Sequence, residues 1–143
     1  MSPRPSPHCR LALAGLLACL LLPALAQAQG NVPATAVRFA QGASSTTVNG
    51  QLKGLVTDAR DYVVRAQGGQ TLGVKLQTAS KDTYFVIIQP PYGDRLYANE
   101  GDLRSSWTGQ LVEAGDYRVR VYLTPEAARA AKGAAFTLAI DLK

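Results

Sequence analysis

The side chains best able to attack, ligate or carry a proton are His8, Cys9 and Cys19, and all three fall within the first 19 of 143 residues. Beyond them the chain has no histidine and no cysteine, and Met1 is its only methionine. Once those positions are removed, no imidazole can act as base or ligand and no disulfide can form. Ser44, Ser45, Ser105 and Ser106 would then need a lysine base, and nothing in the sequence positions one. A pair of carboxylates can hydrolyse a glycosidic bond, but the ten Asp and Glu residues sit mostly in turns, where Asp bonds its own backbone. Asp94, Asn99, Glu100 and Asp102 crowd one segment and offer oxygen to calcium. Their spacing differs from the calcium-loop pattern, and ordinary loop solvation is the simpler reading. The expectation is a protein without catalytic residues, metal or cofactor.

Residues 1–28 have the three parts of a secretory signal. Arg4 and Arg10 form the basic start. Leu11 to Leu22 is an uncharged apolar run shorter than the ~20 residues of a membrane span. Pro23 then precedes two small-x-small cleavage sites, after Ala26 and after Ala28. An uncleaved anchor and a lipid-modified Cys19 are the alternatives. Cleavage after Ala28 leaves 29–143 as one domain, exported to an oxidising compartment without a disulfide. It also removes two of the 15 basic residues and lowers the formal charge from +5. The remaining charges are scattered, with no run that suits nucleic acid or a membrane surface. No membrane insertion is expected after cleavage.

From Val37 onward the apolar residues recur with period two. Tyr62, Val64 and Ala66 share one face, as do Leu72, Val74 and Leu76. Tyr117, Val119, Val121 and Leu123 repeat the pattern, and Phe136, Leu138, Ile140 and Leu142 close it. Arg118, Arg120 and Tyr122 fall on the opposite face and read as solvated. Gln67-Gly68-Gly69-Gln70 reads as a hairpin turn. Tyr84 to Ile88 is apolar throughout, as in a strand covered on both faces, and Pro90-Pro91 ends it. Weaker strands are expected at 36–40, 45–53, 94–98 and 106–111. Thr124 caps a short helix that starts at Pro125 and closes at Gly133. The fold expected is all-β: an antiparallel β-sandwich of about eight strands, with one short helix in a late loop.

Trp107 reads as core or as a binding platform, and Tyr117 after Gly115-Asp116 as a tyrosine corner. The connection after Leu123 is longer than sandwich loops need, which favours a functional role. Arg129 on its helix can project and pair bidentately with a carboxylate, or simply meet solvent.

The succession Val37-Arg-Phe, Gly42-Ala-Ser-Ser45, Gly50-Gln-Leu-Lys-Gly54, Asp61-Tyr62, Gly69-Gln70, Asp82-Thr-Tyr84, Gly115-Asp-Tyr117, Arg120-Val121 and Ala128-Arg129 resembles the periplasmic inhibitors of goose-type lysozyme. The likeness covers nearly all of the chain after the leader, and extends to the wider pre-peptidase C-terminal-like class of sandwiches. It implies a periplasmic protein whose loops plug the groove of a lysozyme, the expected protein partner. Family members place a tyrosine after the Lys-Gly of the first hairpin and two arginines, four apart, in the late loop. Here Leu55 and Pro125 stand at two of these positions and Arg129 at the third. The resemblance therefore implies partner contacts at Arg129, Leu55, Lys53 and Pro125. Interface energy concentrates in arginine and aromatic residues, so the two departures imply weaker or redirected binding.

A second reading is an envelope binding or adhesion module that recognises glycan or protein through a sheet face. Trp107, Tyr92 and Tyr97 gathered on one surface would favour it. The oligomeric state stays open in the sequence, a dimer included.

Overall fold

Among the described residues, the period-two stretches become nine strands, with one helix beside them. The computed structural model describes residues 32–100 and 105–143. The leader, its cleavage sites and Asp102 lie outside the described residues. The strands are β1 (Ala34–Ala36), β2 (Ser45–Lys53), β3 (Ala59–Ala66), β4 (Thr71–Thr78), β5 (Thr83–Gln89), β6 (Asp94–Ala98), β7 (Ser106–Gln110), β8 (Gly115–Leu123) and β9 (Gly133–Leu142), with α1 (Pro125–Arg129) between the last two.

They form two sheets, in the orders β1-β3-β8-β5-β6 and β2-β9-β4-β7. All pairings are antiparallel except β1 with β3. Alternating apolar side chains from both sheets meet in one core. Leu52, Val64, Phe85, Ile87, Val119, Val121 and Leu138 are fully buried there, and Tyr62 meets Phe136 edge-on. Sheet-on-sheet burial of this kind removes apolar surface from water, which stabilises the fold by ~25 cal/mol per Å2.

Several sequence expectations change. The helix expected to close at Gly133 ends at Arg129, capped by Ala130, and Gly133 opens β9. Gln67 to Gln70 is a tight turn, with Gly69 at φ +89 and Gln67 N–H donating to Gln70 Oε1. It is not a hairpin, because β3 and β4 lie in opposite sheets. The same turn chemistry serves a chain that folds back and a chain that crosses over. In fact every connection except β5–β6 crosses between the sheets. The strand expected at 36–40 is instead β1, ending at Ala36, while Val37 and Phe39 leave the sheet to pack on the core. Val37 N–H still bonds Val63 O, which carries the parallel pairing one residue further.

Other expectations match the structure. Val86 and its neighbours in β5 are covered on both faces. Tyr117 forms the expected corner, buried, with its hydroxyl donating to Glu113 O at 2.8 Å. Burial raises its pKa above the usual tyrosine value.

Candidate functional site

The loops 54–58, 79–82 and 124–132 meet at one end of the sandwich, and main-chain hydrogen bonds weld them together. Leu123 N–H donates to Asp58 O, Thr124 N–H to Asp82 O, and Gly54 N–H to Lys132 O, all within 2.8–2.9 Å. Lys132 Nζ adds an ion pair with Asp82 at 3.0 Å. Loops are ordinarily the mobile part of a domain; these hold one another in place.

Local sequence explains each piece. Thr124 caps α1 by accepting from Ala127 N–H, and Pro125 sits in the first turn, where its missing N–H costs nothing. The helix lies on the body through buried Ala127 and Ala128, which leaves Pro125, Glu126 and Arg129 facing solvent. The helix is thus a braced ledge, and only its outer side chains project. Lys53 opens the neighbouring tip: its N–H and C=O both bond Thr57. Leu55 then adopts the left-handed conformation at φ +62, a strained choice for a branched residue. Leu55 is 71% exposed and Val56 84%. Gly54 joins tip to ledge, because a Cβ there would lie 2.7 Å from Lys132 O and 2.8 Å from Ala128 O.

The four residues that the resemblance singled out therefore lie at the same end, on two adjoining loops. Pro125 and Arg129 share an open cleft of about 440 Å3 with Glu100, Thr124 and Glu126. Lys53 and Leu55 stand on the tip beside it. Among the described residues, Arg129 has no hydrogen-bond or ion-pair partner. Exposed Val56 escaped the sequence reading, although two consecutive apolar residues in a turn after Gly54 were a signal for it.

A second cleft of about 510 Å3 shares Pro125 and Glu100 with the first and is walled by Asp58, Arg120 and Tyr122. Here the solvated face expected for Arg118, Arg120 and Tyr122 is corrected. Arg120 forks onto Asp61, Nε to Oδ1 at 2.6 Å and Nη2 to Oδ2 at 2.9 Å. That bond raises its pKa further above the usual arginine value. Arg118 is exposed, 3.9 Å from the same carboxylate. Tyr122 is half-buried and donates to Glu100 Oε2 at 2.9 Å; burial foremost, then that bond, lifts its pKa to about 12.

Two of the candidate calcium ligands are engaged elsewhere, and a third stands apart from them. Asn99 is buried with Oδ1 accepting from Phe85 N–H, Glu100 holds Tyr122, and Asp94 lies at the far end of β6. Among the described residues, no group of three His, Cys, Asp or Glu side chains could hold a metal, and no helix is long and apolar enough to cross a membrane. Nor do the aromatics form one binding platform. Trp107 and Tyr97 stack on each other at 5.8 Å, both half-buried against the core, while Tyr92 stands 89% exposed on the β5–β6 turn.

No model of a protein family matches the sequence, and no curated protein does. Solved structures do match. PliG of Aeromonas hydrophila, a periplasmic lysozyme inhibitor of g-type lysozyme, is 29% identical with a TM-score of 0.69, over 78% of this chain and 96% of that one. PliG of Salmonella Typhimurium is 25% identical, with a TM-score of 0.61 over 78% and 98% of the two chains. A mutant of Escherichia coli PliG is 26% identical, at the same score and coverage. The pre-peptidase C-terminal domain of a Bacillus anthracis collagenase shares the fold alone, at 12% identity and a TM-score of 0.50. In its fold, the chain is similar to these periplasmic inhibitors of g-type lysozyme.

Proposed function

We propose that this is an exported, periplasmic, non-catalytic inhibitor of a goose-type lysozyme, and that it seats its welded loop end in the enzyme's substrate groove. Arg129 is the central contact. Its guanidinium is exposed and unpaired among the described residues, so it reaches a partner's carboxylate without first breaking an internal bond. Pro125 flanks it, and Lys53 with Leu55 forms the second point of contact on the adjoining tip. The observation that carries this reading is the pairing of that free cation with an exposed apolar tip on loops already fixed in place. Preorganised loops lose little conformational freedom on binding, which leaves more of the contact energy as affinity.

The test is titration of goose-type lysozyme with purified mature protein, with chicken-type and invertebrate-type enzymes alongside. Inhibition of the goose-type enzyme is expected, and undiminished activity at tens of micromolar inhibitor overturns the reading. Arg129→Ala should weaken inhibition ~30-fold or more, the equivalent of a ~2 kcal/mol contact. Unchanged inhibition by that variant would preserve the function and remove Arg129 from its mechanism.

A further inference from the structure

Each sheet edge presents main-chain groups that another strand can pair with, and folded proteins normally guard such edges. Among the described residues the two sheets have four edges, and three of these are guarded. Strand β1 has only three residues, β7 only five, and β6 has five with Asp94 and Arg95 among them and a register break against β5. Strand β2 differs. It runs nine residues in unbroken register with β9, contains no proline, and carries no charge before Lys53.

The direction of its free groups follows from the ladder. Ser44 O accepts from Leu142 N–H, so Thr46, Val48, Gly50 and Leu52 face β9 while the alternate residues face outward. Two bonds confirm the alternation: Arg60 Nε donates to the outward Gln51 O, and Lys53 N–H turns to Thr57 O. Among the described residues, the N–H and C=O groups of Ser45, Thr47 and Asn49 therefore have no partner along this edge.

We propose that this edge pairs antiparallel with β2 of a second copy, about a two-fold axis at Thr47, joining two four-stranded sheets into one of eight. The sequence is self-complementary in this register. Thr47 meets Thr47 and Ser45 meets Asn49, giving about six new main-chain hydrogen bonds. The small polar side chains suit cross-strand pairing. Charge agrees as well, since Lys53 falls opposite Gln41 and no like charges face each other. The loop end with Arg129 takes no part, so this pairing is independent of the inhibitor reading.

Analytical ultracentrifugation of the mature protein from micromolar to millimolar concentration should show monomer passing to dimer. The amides of Ser45, Thr47 and Asn49 should gain hydrogen-exchange protection over the same range. Thr47→Pro removes an outward N–H, which an edge strand tolerates, and should give a folded monomer. Thr47→Lys, which sets two ammonium groups opposite each other, should also be monomeric and covers the case in which the proline variant fails to fold. Monomer at every concentration overturns the proposal. So does a dimer that survives in a folded Thr47→Lys variant, or one that forms without new protection of those three amides.

Discussion

Asp61 occupies an outward position of β3, where alternation assigns a solvated side chain, yet only 3% of it is exposed. Arg120 and Arg118 reach it from β8, and Pro33 O accepts its N–H, so the neighbouring strands enclose a carboxylate that solvent would otherwise hold. Removing one partner of such a pair leaves the other poorly satisfied. Asp61→Asn should therefore lower stability by about 2–3 kcal/mol in urea unfolding, less than a fully buried pair would lose because Arg120 keeps some contact with water. Asp116→Asn makes the comparison. Its pair with Arg65 is well exposed, with side chains 47% and 79% accessible, and stability should barely change. At Arg129 the logic is reversed: an exposed guanidinium contributes little to folding and is free to act on a partner.

Among the elements, α1 and the 54–58 tip form a unit whose geometry depends on one missing methyl group. Gly54 packs its α-carbon against Ala128 and Lys132 O, and the atoms it meets are main chain, which yields less readily than a flexible side chain. Gly54→Ala should cost about 1–3 kcal/mol and separate the ledge from the tip. The thermal midpoint should fall, and inhibition of goose-type lysozyme should fall further than stability alone explains. A variant that unfolds earlier but inhibits fully at low temperature would show that the two loops act independently. Gly54 marks a chain reversal in the sequence as a glycine would anywhere; its contact with a helix some 70 residues later is not legible there.

For the molecule as a whole, the phenols link stability to alkaline pH. Burial raises the pKa of Tyr62 and Tyr117, and Tyr122 reaches about 12. A raised pKa in the folded state means that the stabilising contribution is complete below the ordinary value near 10 and is lost as pH rises through the folded value. Stability should accordingly decline between pH 10 and about 12. Denaturant unfolding followed across that range checks this, and Tyr122→Phe should flatten the decline. A profile level to pH 12 would contradict the raised values.

Period-two patterning by itself determined the layers, because a side chain's direction along a strand follows from local geometry. It identified the inward faces of β3, β4, β8 and β9, while the residues after Gly115 marked the corner at Tyr117 and Thr124-Pro125 marked the capped helix. Which strands pair was decided only in three dimensions. Gln67 to Gln70 has the residues of a hairpin whether the chain returns to its own sheet or crosses to the other, and here it crosses. The functional end has the same character. Arg129 and Leu55 are each recognisable as candidates along the chain, but their adjacency rests on Gly54 N–H reaching Lys132 O, a bond between distant segments that no local preference encodes. The burial of Asp61 was hidden for the same reason, since what encloses a side chain is supplied by other strands.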